Sequence, residues 1–347
     1  MNFREIIKEH QTRYPLMKPQ DFGKLSYQSE FGPKHMGLLY ENVLKGVEKE
    51  WTCDDIIYEK CHTEYIGNEY YRCHFWKNPK QYEKELFAKV FVLTANRSSG
   101  TLDGLKNRLK QVRQQEIDGM DEWIEEYEDA GYPVVSHTDV FREAYHPHYR
   151  LIHKKYVDLF PVLFKIAELL DKKEKIIISI DGNCGSGKTT CAFIIQEVFG
   201  GNLIHMDDYY LPIKERRADW KETPAGNMNL YRFRDEVLKP AKEGKTINYR
   251  VFDCQKQIYK EATILSTDRL TIVEGSYSQH PKLAEYYDLK IFLSCDKSLQ
   301  KKRLMEREGD YYPMFETCWI PLENLYHERF QIKEKADILC EMLLDMT

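Results

Sequence analysis

The sequence predicts a mostly α-helical domain followed by an α/β domain that is built on a doubly wound parallel sheet. Three observations lead to this prediction. The chain has 347 residues, which is more than one hydrophobic core usually organises. The pattern of apolar residues changes at the polar run 171–175, Asp-Lys-Lys-Glu-Lys. After that run, apolar segments of strand length alternate with helical segments, and this alternation is typical of a parallel sheet covered by helices.

The predicted helical domain covers residues 1–150, and a connecting helix and linker follow at 151–173. In the segments 38–51, 81–93 and 102–130, apolar residues recur at spacings of three and four, which is the pattern of amphipathic helices. The region is rich in Tyr, Trp, His and charged residues and has few β-branched runs. These features favour helices over strands in the first domain.

The predicted α/β domain covers residues 174–347. Its strand candidates are the short apolar runs 175–181, 202–206, 269–273, 289–293 and 336–340. Its helix candidates are the segments 189–199, 231–243, 296–306 and 321–335. Because strands and helices alternate, the sheet is predicted to be mostly parallel, with helices on both faces.

The composition excludes several classes of protein. The net charge is only −5, without the basic stripe that is typical of nucleic-acid-binding proteins. No apolar run approaches the roughly 18 residues of a membrane span, and the charged N-terminus does not resemble a signal peptide. The nine cysteines form no Cys-x-x-Cys pair. The sequence therefore predicts a cytoplasmic protein with reduced thiols that does not act on nucleic acid or membranes.

A phosphate-binding loop follows the first predicted strand of the second domain. The segment 182–189, Gly-Asn-Cys-Gly-Ser-Gly-Lys-Thr, matches Gly-x-x-x-x-Gly-Lys-[Ser/Thr] at every fixed position. Glycines let backbone N–H groups approach phosphate oxygens, and the next helix directs its positive end to the same place. The lysine reaches the β- and γ-phosphates of ATP, and the threonine hydroxyl binds Mg²⁺. The predicted nucleotide-binding residues are Gly182, Asn183, Cys184, Gly185, Ser186, Gly187, Lys188, Thr189 and Thr190.

Two carboxylates and two aromatic residues, Asp207-Asp208-Tyr209-Tyr210, follow the next predicted strand. In a parallel sheet this position lies at the carboxyl ends of the strands, beside the phosphates. A carboxylate there can accept the proton of a substrate hydroxyl or hold Mg²⁺. The alternative is an ordinary helix N-cap, for which Asp is also favoured.

Residues 174–341 resemble the uridine kinase/phosphoribulokinase family of P-loop kinases. The phosphate-binding loop, the Asp-Asp-Tyr-Tyr segment and Val273-Glu274-Gly275 stand in the order and spacing of that family. The resemblance implies that Asp207 is the general base, that Thr189 and Glu274 hold Mg²⁺, and that Lys188 is catalytic. It also implies that Arg303 and Arg307 belong to a lid that closes over the transferring phosphoryl group.

The resemblance is less complete on the acceptor side. It implies that Asp208, Tyr210, Asn229 and Asp253 contact the acceptor. Asn229 stands where uridine kinases have an Asp, and Gln255-Lys256-Gln257 replaces the expected His-Ser-Arg run. These departures leave the identity of the acceptor open.

The predicted function is transfer of the γ-phosphoryl group of ATP to a hydroxyl of a small molecule, in the manner of a uridine kinase. A nucleoside is one acceptor class. An alternative is a sugar phosphate or a pantothenate-like acid, whose charge Arg216 and Arg217 would meet. A second alternative is a regulatory protein that binds nucleotide without turnover. The sequence leaves open whether the chain forms a homo-oligomer.

The first 150 residues resemble an uncharacterised helical domain that precedes such kinase domains in some bacterial proteins. That resemblance supplies no activity. His137, His146 and His148 are close in sequence, but they do not follow the spacing of a known zinc motif. Metal binding and ordinary packing are both open for them.

Overall fold

The computed structural model describes residues 2–34 and 39–341, and the chain divides into two compact units. The first unit is Met1–Phe160 and the second is Pro161–Thr347. In the described residues, no helix combines the length and the apolar character that crossing a membrane requires.

The first unit is mostly helical, as predicted. The segment 102–130 forms two helices instead of one, because Glu116 and Gly119 in its middle have positive φ angles of 54° and 72°, which interrupt a helix. Leu38, at the start of another predicted helix, lies outside the described residues. The helices are Phe3–Arg13, Pro19–Phe31, Tyr40–Glu50, Gln81–Arg97, Leu102–Arg113, Met120–Asp129, Asp139–Tyr145 and Lys154–Val157.

A three-stranded antiparallel sheet, which the sequence analysis missed, lies in the first unit. Its strands, in spatial order, are β1 (His62–Gly67), β2 (Tyr70–His74) and β3 (Tyr149–His153). Asn68 and Glu69 connect β1 to β2 with positive φ at both positions, as in a type I′ hairpin turn. The strand β3 ends at His153, inside the segment 151–173 that was predicted to hold a connecting helix and linker.

The second unit contains the predicted parallel sheet. In its described residues the strands are β4 (Ile176–Gly182), β5 (Asn202–His205), β6 (Ile247–Asp253), β7 (Ile258–Leu265), β8 (Leu270–Glu274), β9 (Leu289–Ser294) and β10 (Ile338–Glu341). Five of them form one sheet in the order β10-β9-β4-β8-β5, and all neighbouring pairs are parallel. The strands β6 and β7 form a separate antiparallel hairpin, which the sequence did not predict, and β7 is largely exposed.

Helices complete the predicted α/β architecture of the second unit. The predicted helix 231–243 is interrupted by a π-helical turn at Arg234–Leu238, and a second π-helical turn, Phe315–Trp319, comes before the helix that begins at Ile320. The α-helices are Phe160–Lys172, Lys188–Phe199, Leu230–Phe233, Lys239–Glu243, Lys297–Glu308, Tyr312–Met314 and Ile320–Phe330. The central strand β4 is buried along its whole length and leads directly into the phosphate-binding loop. This topology places the loop in the crevice at the carboxyl ends of the strands, where α/β folds bind ligands.

Candidate active site

The phosphate-binding loop has the backbone that its glycines predict. Gly182, Gly185 and Gly187 have positive φ angles of 136°, 74° and 94°. Residues other than glycine rarely adopt such angles. A Cβ on Gly182 would lie 1.9 Å from the carbonyl oxygen of Leu293, so this position requires glycine. Lys188 begins the helix that follows the loop, and its Nζ donates to the carbonyls of Gly182 (2.8 Å) and Asn183 (3.0 Å). The loop is therefore formed, and its lysine lies against it.

A cavity of about 730 Å³ opens beside the loop. It brings together most of the residues that the sequence analysis selected. Those that line it are Cys184, Gly185, Ser186, Gly187, Lys188, Thr189, Thr190, Asp207, Tyr210, Glu274, Arg303 and Arg307. The lining is completed by Gly275, Ser276, Tyr277, Lys302, Glu306, Phe315, Trp319 and Glu323.

Thr189 and Glu274 meet at the edge of the sheet. The Thr189 hydroxyl donates to Glu274 Oε1 at 3.2 Å, and His205 Nδ1 lies 2.5 Å from the same oxygen. The hydrogen bond and the negative charge of Glu274 raise the pKa of His205. Hydroxyl and carboxylate oxygens are the ligands that Mg²⁺ prefers, so these two residues fit the predicted metal site.

Asp207 lies in the 3-10 turn Met206–Tyr209 directly after β5, with its side chain exposed to the cavity. The surrounding protein restricts hydration of the carboxylate, and this restriction, followed by the charge of Glu274, raises the pKa of Asp207. The Lys188 ammonium opposes that shift. A carboxylate with a raised pKa is a better proton acceptor, which is the property that a general base needs.

The two predicted lid arginines both line the cavity, but they differ in their contacts. Arg303 Nη1 donates to the carbonyl of Gly185 in the loop at 3.2 Å. Arg307 is exposed and donates to Glu308 at 2.6 Å. Arg303 is therefore in direct contact with the phosphate-binding loop, and Arg307 lies further out on the same helix.

Three residues predicted to contact the acceptor lie outside the cavity lining. Asn229 caps the helix Leu230–Phe233 by accepting a hydrogen bond from the backbone N–H of Arg232 at 3.1 Å. Asp253 accepts hydrogen bonds from the backbone of Gln255 and Lys256, both at 3.0 Å, and so fixes the turn between β6 and β7. Asp208 follows Asp207 but does not reach the lining. Gly182 and Asn183 likewise support the loop from outside the cavity.

Asp181, which the sequence analysis did not select, anchors the base of the loop. Its carboxylate is fully buried and accepts from the backbone of Gly182 (2.7 Å) and Gln279 (3.0 Å) and from the hydroxyl of Tyr326 (2.7 Å). Burial alone would raise the pKa of Asp181, but the interactions with His327, Gln279 and Tyr326 lower it. The sequence signal that could have identified Asp181 is its position as a charged residue at the end of an apolar strand.

Glu323 is a second residue that the sequence analysis missed. It is buried, and it accepts from the backbone N–H of Cys184 at 2.8 Å and from the hydroxyl of Ser276 at 2.5 Å. It therefore links the phosphate-binding loop to the segment after β8. No local pattern marked this residue, because it lies in a helix remote in sequence from both partners.

Comparison with known proteins supports the resemblance for the second unit. The family model described as "Phosphoribulokinase / Uridine kinase family" matches residues 177–311. Nicotinamide riboside kinase of Schizosaccharomyces pombe is 28% identical over 167 residues, which are 42% of this chain and 72% of that protein. Uridine kinase of Streptococcus agalactiae serotype V is 27% identical over 185 residues, 48% of this chain and 87% of that protein. The structure of a possible uridine kinase from Bacillus stearothermophilus covers 53% of this chain and 98% of its own, with 18% identity and a TM-score of 0.43.

Proposed function

We propose that this chain, whose residues 177–311 form a domain of the phosphoribulokinase/uridine kinase family, transfers the γ-phosphoryl group of ATP to a hydroxyl of a nucleoside-like small molecule. One observation carries the proposal. A single cavity contains the phosphate-binding loop, the Thr189–Glu274 pair and the Asp207 carboxylate. Phosphoryl transfer needs these three elements together, because they bind the donor, neutralise its charge and accept the proton of the acceptor.

The donor side of the cavity fits a nucleoside triphosphate. The positive end of the helix that Lys188 begins and the N–H groups of the loop suit phosphate oxygens. Lys188 would exchange its present loop carbonyls for the β- and γ-phosphates. Thr189 and Glu274 would hold Mg²⁺, which supplies charge neutralisation on the phosphate oxygens when it is bound. Arg303, already on the loop, would stabilise charge that develops on the transferring group.

Asp207 is the proposed general base. It is the carboxylate that the family resemblance selects, it is open to the cavity, and its pKa is raised. Glu274, a second carboxylate of the cavity lining, is hydrogen-bonded to Thr189 and His205. Asp207 would accept the hydroxyl proton of the acceptor while the oxygen attacks the γ-phosphorus.

Aromatic side chains support a nucleoside-like acceptor. Tyr210, Tyr277, Phe315 and Trp319 line the same cavity as Asp207. Planar rings of this kind stack on heterocyclic bases, and such stacking is worth about 1–3 kcal/mol per base in nucleic-acid complexes. The relatives named uridine kinase and nicotinamide riboside kinase point to the same class of acceptor.

An anionic acceptor has less support. Arg216 and Arg217, the cations that such an acceptor was predicted to meet, do not belong to the cavity lining. Arg216 donates to the carbonyl of Leu211 at 3.0 Å and stacks on Trp220. Arg217 is exposed and paired with Asp219 at 3.0 Å. Both guanidinium groups therefore already have partners within their own segment.

The test is ADP release from Mg²⁺-ATP with a panel of nucleosides, nicotinamide riboside, sugars, sugar phosphates and pantothenate. We expect release that depends on a nucleoside-type acceptor and is lost in Asp207→Asn. Release with only a sugar phosphate or pantothenate would contradict the proposed acceptor class. Tight ATP binding without turnover on any acceptor would favour the regulatory alternative instead.

A further inference from the structure

A network of charged and histidine side chains lies in the first unit, and the proposed kinase reaction does not use it. Arg150 Nη2 donates to Glu50 Oε2 at 2.5 Å, and Glu50 Oε1 lies 3.3 Å from His148 Nδ1. The other nitrogen of that ring, Nε2, lies 2.9 Å from Asp55 Oδ1. Asp55 Oδ2 in turn lies 3.0 Å from His146 Nδ1. His148 thus faces a carboxylate on each side.

A thiol completes this group. Ligand atoms of Cys53, Asp55 and His148 all lie within 4.8 Å of one another. Cys53 and Asp55 are exposed and His148 is half-buried, so a cation from solvent can reach all three. The spacing Cys-x-Asp with a distant histidine is not a known motif, which is why the sequence did not select it.

We propose that Cys53, Asp55 and His148 form a binding site for a divalent transition-metal ion, with Zn²⁺ as the best match. A thiolate, an imidazole and a carboxylate are the ligands that zinc uses in proteins, whereas Mg²⁺ and Ca²⁺ take mainly oxygen ligands. In this site the metal binds between His148 Nε2 and Asp55 Oδ1, which lie 2.9 Å apart in the structure. His137, which the sequence placed with these histidines, is instead bound to Asp21 and Tyr149 and takes no part.

The surroundings of His148 are those of a metal ligand. A histidine that binds zinc through one nitrogen usually donates its other N–H to a carboxylate, which fixes the tautomer and the ring orientation. Glu50 is the carboxylate beside Nδ1 of His148, and Arg150 donates a hydrogen bond to the other oxygen of Glu50. Glu50 is therefore a positioning residue in this proposal.

The proposed site is open on one side. Asp55, His146 and His148 line a cavity of about 490 Å³ in the first unit, together with Lys24 and Arg142. Three protein ligands leave one tetrahedral position free, which is the arrangement of zinc sites that bind an exogenous ligand. His146, whose Nδ1 contacts Asp55, lines the same cavity.

The experiment is a titration of the full-length chain with Co²⁺, a spectroscopic substitute for Zn²⁺, in excess Mg²⁺. We expect stoichiometric binding with a thiolate-to-cobalt charge-transfer band, and displacement of Co²⁺ by stoichiometric Zn²⁺. Cys53→Ser should abolish the band. The matched thiol variants Cys61→Ser, in the same unit, and Cys184→Ser, in the phosphate-binding loop, should retain it. Glu50→Gln should weaken binding by about 10- to 100-fold.

Each outcome bears directly on the proposal. Absence of the charge-transfer band in the wild-type chain, or a band that survives Cys53→Ser, would overturn it. Circular dichroism of Cys53→Ser separates loss of a ligand from loss of the fold. Because the readout is a metal spectrum, failure of the kinase proposal would not affect it.

Discussion

The hydroxyl of Thr189 donates a 3.2 Å hydrogen bond to the carboxylate of Glu274, although 85 residues separate them in the chain. Thr189 lies in the first turn of the helix after β4, and Glu274 is the last residue of β8. The strands β4 and β8 are parallel neighbours, so their carboxyl ends meet at one edge of the sheet. The pairing of these strands therefore creates the proposed metal site.

Glu274→Gln is predicted to raise the Mg²⁺ concentration needed for half-maximal ADP release by about tenfold or more, equivalent to about 1.4 kcal/mol. The amide keeps the shape of the side chain but removes the charge that attracts the cation. The measurement is a Mg²⁺ titration at saturating ATP. Glu306→Gln, on another part of the cavity lining, is the control and should leave the titration unchanged. An unchanged titration of Glu274→Gln would remove this residue from the metal site.

Lys188→Ala is predicted to lower kcat by about two to three orders of magnitude, because the variant lacks the ammonium group that neutralises charge on the phosphates. Among the described residues, the Lys188 ammonium donates hydrogen bonds only to carbonyls of the loop, so the fold should persist. The measurement is steady-state turnover, accompanied by thermal unfolding. Wild-type turnover of the variant would mean that the loop assignment is wrong.

The pH dependence of kcat/KM is predicted to have an acidic limb that lies above the ordinary aspartate pKa of 3.8. The base must be deprotonated to act, and the pKa of Asp207 is raised, so activity falls as the pH decreases through that raised value. Asp207→Asn should abolish this limb and lower kcat/KM by about 10²- to 10⁴-fold. Asp208→Asn should retain the limb. The reverse pattern would transfer the role of base to Asp208.

Arg303→Ala is predicted to reduce kcat more than Arg307→Ala does. Arg303 contacts the loop carbonyl of Gly185, whereas Arg307 is exposed and paired with Glu308. The comparison requires kcat for both variants at saturating ATP and acceptor. A larger effect of Arg307→Ala would indicate that the lid rearranges so that the outer arginine reaches the phosphates.

Asp181→Asn is predicted to lower the free energy of unfolding of the second unit by about 1.5–3 kcal/mol at neutral pH, because hydrogen bonds to a buried charge are lost. The folded-state pKa of Asp181 is lowered, so its contribution is present above the ordinary value of 3.8 and is lost as the pH falls through the folded-state value. Urea unfolding of variant and wild type at neutral and acidic pH measures this. A difference that does not shrink in acid would contradict the account.

The sequence predicted the phosphate-binding loop and the parallel strands beside it because their signals are local. The loop has fixed glycines, and the buried strands β4 and β8 are short apolar runs that lead into Asp181 and Glu274. Glu323 could not be predicted, since its partners Cys184 and Ser276 are remote in sequence. Asn229 and Asp253 stay predictions as acceptor contacts: in the structure both side chains accept hydrogen bonds from neighbouring backbone N–H groups, a use that a family pattern does not reveal.

The first unit was harder to predict than the second. Its strands β1 to β3 contain histidines, tyrosines and arginine instead of uniform apolar residues, so they carried no strand signal. The approach of His148 to Cys53 and Asp55 depends on a fold that brings segments about 90 residues apart together. Only the tertiary structure supplies such proximity.

The most direct test of the kinase account is transfer from ATP labelled with ¹⁸O in its γ-phosphoryl group to a nucleoside, followed by mass spectrometry of the product. We expect a nucleoside monophosphate that carries the labelled oxygens and is formed in step with ADP. We also expect that Asp207→Asn binds ATP but makes no labelled product. Release of labelled inorganic phosphate alone, with no acceptor modified, would contradict the account.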